Sequence, residues 1–424
     1  MLTLLAVMAL GIAAGIPIAF AIAASGAAYL LFESTVPLLV VAQRMVVGVD
    51  SFTLLAIPLF LLAGSLMAEG DITPRIMRFA STLVGHIPGG MAMVMVVSCM
   101  FFGAISGSGV ADVAAIGSIL LPAMKEQGYR PPFSAALLGC SGALATIIPP
   151  SIVMVILGVT MGTSIGKLFL GGVLPGLVTG GALMGIAYLF ALREKYPRLP
   201  KAGWNERLAA LRGAALPLLA PVIILGGILK GIFTATEAGG VAALYALFLA
   251  MFVYRKVTPR RVLELSLEVA RTSAVVLFII AAANLFGWIL AAEDIPQKVA
   301  TAILAISNNY WVVLLLFNLL LLVLGMFMET IAIIIIVLPI FLPILNQLGV
   351  DPVHLGVMVC VNLAIGANTP PLGVDLIASC KIAGVRYEDS FRFLAPLLAA
   401  MTAVLVLIVL APGFVTWFPN AFIR

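Results

Sequence analysis

Five glycine and proline positions recur in order at one fixed spacing, and no other feature constrains the fold of this chain as strongly. Pro122, Gly128, Pro131, Pro149 and Pro150 return 221 residues later as Pro343, Gly349, Pro352, Pro370 and Pro371. Glycine and proline fill 40 and 25 of the 424 positions, so only about 0.4 such coincidences are expected across a window of this size. The series marks an internal structural repeat, with the same helix-breaking punctuation in each half.

Composition says what medium the repeat occupies. The chain is 63% hydrophobic and 10% charged, against roughly 45–50% and 25% for a soluble domain. Apolar stretches cover residues 2–32, 216–229, 239–253 and 394–415. At about 20 residues per span, the length holds on the order of ten spans or hairpin equivalents. A soluble helical core this large would need far more charge. The expected fold is therefore an all-α polytopic membrane protein. A repeat with paired helix breaks in such a chain is the mark of a secondary transporter. The start is apolar from Leu2 with no basic n-region, which reads as a first span and not as a cleaved signal peptide. Cys99, Cys140, Cys360 and Cys380 lie in apolar segments without CxxC or zinc spacing and read as small core residues. His86 and His354 are isolated, so neither is assigned catalysis or a metal.

Charge placement gives the topology. One basic cluster holds Arg193, Lys195, Arg198, Lys201, Arg207 and Arg212, and a second holds Arg255, Lys256, Arg260 and Arg261. The positive-inside rule puts both in the cytoplasm. Two spans, near 214–232 and 236–254, fit between them. No Lys or Arg precedes Arg44, so the N-terminus is expected outside. The basic stretch from Lys381 to Arg392 then faces inward, and a final span near 393–418 carries Arg424 out. The expected organisation is a first inverted repeat (1–192), a basic linker (193–213) and a second repeat (214–424). Scaffold helices are expected at about 1–85 and 214–308, and hairpin-plus-broken-helix units at about 89–192 and 309–392. Around Trp204 the linker alternates apolar and charged residues, which suits either an interfacial amphipathic helix or a solvated loop.

The interruptions carry the chemistry. In the second half, two apolar arms of about 14 residues, roughly 21 Å of helix, flank the segment 325–330. Each arm is too short for the roughly 30 Å hydrocarbon core, and a single helix through both would be too long. A re-entrant hairpin fits, and a tip lining a wet cavity explains why Glu329 is tolerated there. The matching tip, 103–109, contains Ser106 and Ser108 among three glycines. Each tip is followed by a double proline: Pro149-Pro150 after Thr146, with Ser151 next, and Pro370-Pro371 after Asn368 and Thr369. Two prolines remove two backbone donors and unwind the helix. Freed carbonyls suit a weakly held cation, and half-helix N-termini suit an anion. Asp112, one turn beyond the first tip, either binds or caps the second arm. Asp375 and Arg271 are weaker candidates, and Glu237 reads as a helix-start acid.

Taken together, residues 51–60, the tip 103–109 running on to Asp112, Ile148-Pro149-Pro150-Ser151, residues 231–238 and Thr369-Pro370-Pro371-Leu372-Gly373 resemble the large membrane subunit of the tripartite ATP-independent periplasmic (TRAP) transporters. The likeness spans essentially the whole chain, in order. It implies the ion-transporter superfamily fold, with a scaffold and a mobile, elevator-type transport part that contains the hairpins. It implies an inner-membrane protein with both termini periplasmic, and import of a small organic carboxylate coupled to Na⁺. Two partners are implied: a small four-helix membrane subunit, here on a separate polypeptide, and a periplasmic binding protein that delivers the substrate. By motif position, Ser106, Ser108, Gly109, Thr146 and Pro149 would line one sodium site. Gly325, Thr330, Asn368, Thr369 and Pro370 would line the other. Ser106, Ser108, Asp112, Ser151, Glu329 and Asn368 would face substrate. Glu329 stands where the family often has Asp, and its longer side chain leaves three contacts open: an ion, the substrate, or only the tip backbone. Moving one charge through 100 mV is worth about 2.3 kcal/mol. Electrogenic import thus takes at least two Na⁺ per monoanion, or three per dianion. No organic cofactor or nucleic acid is implied; the only other contact is membrane lipid.

Two other classes compete. A stand-alone sodium–dicarboxylate carrier of the same superfamily would need no binding protein. A membrane enzyme would need a nucleophile–base pair or a metal set, and Ser106 or Ser108 beside Asp112, without His or Lys, is a poor one. Closed tips suit occluded binding better than the continuous pore of a channel.

Overall fold

The computed structural model describes residues 2–422, and these are helices and turns with no strand. The apolar stretch 2–32 is two short helices and not one span: α1 (Leu2–Ala13) and α2 (Ile18–Phe32). Gly15, at φ +77, and Pro17, the N-cap of α2, reverse the chain between them. Next come α3 (Leu39–Val49), α4 (Ala56–Glu69) and the amphipathic α5 (Ile72–Val84). The first hairpin is α6 (Gly90–Ser106) and α7 (Gly109–Glu126), and the first broken helix is α8 (Pro131–Gly142) and α9 (Ile152–Met161). A long helix, α10 (Ile165–Glu194), closes the half.

The second half runs α11 (Trp204–Leu229), α12 (Ala235–Phe248), α13 (Pro259–Ala292) and α14 (Ile295–Ile306). Its hairpin is α15 (Tyr310–Gly325) and α16 (Thr330–Gln347), and its broken helix is α17 (Pro352–Gly366) and α18 (Val374–Ala383). It ends with α19 (Phe391–Leu410) and α20 (Pro412–Phe422). Among the described residues seven helices are long and apolar enough to cross a membrane. The hairpin arm α15 and the half-helices α9 and α17 are apolar but shorter. The chain is a polytopic all-α membrane protein.

The repeated punctuation has a structural counterpart at every position. Pro122 and Pro343 lie inside α7 and α16, and Gly128 and Gly349 take φ +82 and +70. Pro131 and Pro352 open α8 and α17, and the Pro149-Pro150 and Pro370-Pro371 bonds are both cis. Two further correspondences escaped the sequence reading. Pro175 and Pro396, at the same offset, lie inside α10 and α19. Asp71 and Asp294, in the left-handed conformation at φ 62 and 56, start the amphipathic α5 and α14. The arms beyond the breaks trade places: α18 packs on α7 and α8, and α9 on α16 and α17.

Two expected boundaries move. The alternating segment at Trp204 is not a separate interfacial helix, because α11 begins there and runs on through the apolar stretch. The irregular linker before it is pinned under the α5–α6 turn by Leu199 N–H to Gly85 O at 2.9 Å and Gly90 N–H to Pro197 O at 3.3 Å. The final apolar stretch breaks at Ala411, since Pro412 cannot continue the ladder of α19. Arg424 lies outside the described residues.

Helix α4 packs against both α12 and α13, and Arg261 of α13 ties α13 to α4. Its guanidinium meets Glu69 of α4 and lies 3.3 Å from both Glu264 and Glu268. At the other end of α13, Tyr29 of α2 donates to Glu293. Glu237 forms a capping box with Thr234, accepting from the Thr234 backbone N–H at 2.8 Å. Its reading as a helix-start acid holds.

Candidate functional site: two tips and two breaks around one cavity

The first tip is tighter than its composition suggests. Residues 103–106 are helical, and the turn itself is Gly107 and Ser108. Gly107 sits at φ +63, where a side chain is strained, and a Cβ there would lie 2.7 Å from Pro150 O. The break is thus seated directly on the tip, and Ile152 N–H donates to Gly107 O at 3.3 Å. Ser108 takes the N-cap position of α7 without a side-chain cap bond. Asp112 does not cap the arm. It is fully buried, accepts from the Ser106 hydroxyl through Oδ1 and leaves Oδ2 without a partner. At the break Thr146 Oγ1 donates to Ala143 O at 2.8 Å, and Ser151 Oγ donates to Thr146 O at 2.8 Å. Ser151 also caps α9, accepting from Met154 N–H at 3.3 Å.

The second unit repeats the plan with different atoms. Gly325 meets Gly366 backbone to backbone: a Cβ on Gly366 would lie 2.8 Å from Gly325 Cα. Leu372 N–H donates to Met326 O at 3.2 Å, the counterpart of the Ile152–Gly107 bond. Glu329 is the N-cap of α16, its Oε2 accepting from Ile331 N–H at 2.9 Å and Ala332 N–H at 3.3 Å. Ser108 and Glu329 are therefore equivalent residues of the repeat, both N-caps in extended backbone. Asn368 is fully buried, donates to Ala364 O at 3.1 Å and leaves Oδ1 unpaired. Thr369 Oγ1 donates to Ile365 O at 2.7 Å. Below this break Tyr387 Oη would lie 2.9 Å from a Cβ on Gly373, and burial pushes the phenol up to about 12. Across the halves, a Cβ on Gly109 would lie 2.8 Å from Asp375 Oδ2, and one on Gly139 would lie 2.7 Å from Asn368 Oδ1.

One cavity of about 620 Å³ lies where the tips converge. Ser108, Gly109, Thr146, Gly325, Glu329 and Thr330 of the anticipated set line it. Ser106, Asp112, Ser151, Pro149, Asn368, Thr369 and Pro370 do not reach its wall; they form the layer that supports it. Asp375 and Thr272 complete the polar lining. Thr272 belongs to no motif, since it sits on α13 between Arg271 and Ser273, at the edge where the charged start of the helix gives way to its apolar run. Among the described residues no cluster of three or more His, Cys, Asp and Glu side chains fits a metal centre. Hydroxyl and carboxylate oxygens are the side-chain ligands offered. A wider groove of about 680 Å³ lies apart from the tips, between the loops carrying Ser51, Thr163 and Thr234.

A second cavity, of about 370 Å³, stands on the other side of a thin layer. Helices α9, α13 and α16, and the chain where it turns into α4, pass between the two spaces within about one turn each. Ile57, Val153, Val276 and Ile331 line the first cavity; Leu54, Ile156, Ile280 and Ile335 line the second. All eight are aliphatic. The two cavities follow one stripe of α13, with Thr272 and Val276 at one level and Ile280, Asn284 and Trp288 at the other.

Paired hairpin–break units that meet at one internal cavity define a polytopic membrane permease. The chain is 40% identical over 97% of its length to the sialic acid TRAP transporter large permease protein SiaM of Vibrio cholerae, covering 96% of that protein. It is 42% identical to the C4-dicarboxylate TRAP transporter large permease protein DctM of Pseudomonas aeruginosa, over 93% of both chains. It is 41% identical over 97% of its length to the isethionate TRAP transporter permease protein DctMQ of Oleidesulfovibrio alaskensis, covering 65% of that protein. The solved YdaH transporter of Alcanivorax borkumensis aligns with a TM-score of 0.61 over 88% of this chain and 87% of that one. At 13% identity that likeness bears on the fold alone. The family model for the DctM component of tripartite ATP-independent periplasmic transporters matches residues 4–414, and the chain belongs to that family. It is a transporter permease subunit and not an enzyme.

Proposed function

We propose that this permease imports a small organic anion, coupled to Na⁺, by an elevator-type movement of the hairpin units against a scaffold. The observation that carries the reading is the cavity bounded by both tips and by α4 and α13. The unpartnered, buried Asp112 Oδ2 and Asn368 Oδ1 behind it support a cation among oxygens, because such atoms are costly to leave unmet. Na⁺ is cargo here. One ion is held by the Ser106–Gly109 tip with Thr146 and Pro149, the other by Gly325, Thr330 and the 368–370 break. The substrate carboxylate or sulfonate sits between them. The relatives' named substrates (sialic acid, C4-dicarboxylates, isethionate) are all organic anions.

The scaffold comprises residues of about 1–85 and 214–308. The transport unit comprises about 89–192 and 309–392, and the last apolar stretch returns the chain to the outer face. The protein lies in a bacterial inner membrane with both termini periplasmic. It works with a small four-helix membrane subunit and a periplasmic binding protein, which the tripartite family name supports over a stand-alone carrier. The test is uptake into proteoliposomes that contain this chain and its small subunit, with an inward Na⁺ gradient. N-acetylneuraminate, succinate and isethionate are the probes, each with its own binding protein. Uptake that needs both Na⁺ and a binding protein, and rises with Na⁺ at a Hill coefficient above one, is expected. A flat response to Na⁺ sinks the coupling, and uptake without any binding protein sinks the tripartite assignment. Ser108→Ala with Glu329→Ala abolishes uptake while membrane insertion persists.

A further inference from the structure

The smaller cavity gathers three polar side chains, Arg44, Asn284 and Thr160, each of which can donate a hydrogen bond. Arg44, on α3, makes no ion pair among the described residues; its guanidinium stacks on Trp288 at 4.8 Å. Trp288 lies close to the end of α13 that carries Glu293, opposite the end that carries Arg260 and Arg261. Asn284, one turn earlier on α13, and Thr160, at the end of α9, share the cavity. Among the described residues neither side chain has a hydrogen-bond partner. Gly48 of α3 is pressed on Asn284, where a Cβ would lie 2.4 Å from Asn284 Cβ. The α3–α13 contact therefore holds Arg44 and Asn284 side by side. A half-buried guanidinium in an apolar seam is costly to leave unpaired. Its planar fork matches a carboxylate or sulfonate, and a cavity of about 370 Å³ is large enough for a small organic acid.

We propose that this cavity is a separate outer station for organic anions, in which Arg44 binds the carboxylate or sulfonate group and Asn284 and Thr160 complete the contact. The proposal rests on the transport reading for its physiological occupant. The station itself needs neither Na⁺ nor a partner protein. Its place on the α13 stripe, one aliphatic layer from the tips, puts a bound anion next in line for the inner cavity. Its charge also selects for anions before any sodium site is engaged.

The test uses Trp288 as reporter in the full chain, in phosphatidylcholine nanodiscs, with Trp204→Phe, Trp311→Phe and Trp417→Phe. Those three residues are 77%, 46% and 63% exposed, so the replacements leave the core untouched. N-acetylneuraminate, succinate and isethionate are titrated with Na⁺ present or replaced by choline. At least one probe gives a saturable fluorescence change of equal midpoint in both cations. Arg44→Gln weakens it roughly tenfold or more, the loss of charge-assisted hydrogen bonds. Arg44→Lys, which keeps the charge and loses the fork, weakens it less and decides the matter if the Gln variant fails to insert. Glu329→Gln, at the inner cavity, leaves it in place. The station is overturned by no saturable change with any probe, or by a change that survives Arg44→Gln. It is also overturned by a change that needs Na⁺ and disappears with Glu329→Gln, or by one seen only when phosphatidylglycerol is in the disc. Arg44-dependent binding without sodium-driven uptake would sink the transport reading alone, and uptake without such binding would sink the station alone.

Discussion

Gly325 and Gly366 show how single residues fix this site. The two backbones touch because neither carries a Cβ, and in lipid such close approach is a main source of helix–helix affinity. Gly366→Ala is expected to push the second hairpin off α17 at a cost of about 1–3 kcal/mol. Sodium-driven uptake should then fall at least tenfold while the protein still reaches the membrane, which uptake measured per inserted molecule will check. Glu329 has two tasks that substitution separates. Its carboxylate caps α16 and also faces the cavity. Glu329→Gln keeps an oxygen for the cap, whereas Glu329→Ala removes it at about 1 kcal/mol. Both are expected to abolish uptake, but only the Ala variant should lower thermal stability in detergent. At this scale the sequence was informative where backbone chemistry forces a break. Ser108, Glu329 and the double prolines stood out because an apolar helix cannot absorb them unnoticed. Asp375 and Thr272 were obscure, because their neighbours in space, Gly109 and the tips, lie in distant segments.

The elements divide into those joined by charge and those joined by close packing. Arg261 ties α4 to α13 in a partly exposed network, with 34% of its side chain accessible. Exposed pairs of this kind contribute little to stability and weaken with salt. Arg261→Ala should therefore lower the unfolding temperature slightly at low ionic strength, less at high, and leave uptake intact. A loss of uptake would move this contact from scaffold to mechanism. Helix positions were legible where Gly and Pro set them. Missed were the reversal at Gly15 and Pro17 and the continuation of the linker into α11. Apolar composition alone cannot distinguish one long span from two short packed helices, and amphipathic turns at a helix start look like a separate segment.

The molecule as a whole is two copies of one plan whose second arms exchange partners, α18 with the first hairpin and α9 with the second. The repeat was visible in five residues, but the exchange was not, since it depends on how the halves dock. It makes a prediction about sidedness. The native cysteines are all buried, so an introduced thiol reports alone. Thr272→Cys should react with an impermeant maleimide from the cytoplasmic face and Asn284→Cys from the periplasmic face; reaction of both from one side would contradict the topology. The aliphatic layer between these positions is one helical turn deep, about 6 Å on α13 between Val276 and Ile280. Such a septum is an electrical insulator as much as a barrier to diffusion. Most of the membrane voltage would then drop across a single turn of protein, and a charge that moves past it would sense nearly the full potential after a short displacement. Trimming the septum, as in Val276→Gly with Ile280→Gly, should short-circuit the protein, giving an ohmic leak in planar bilayers with no substrate present.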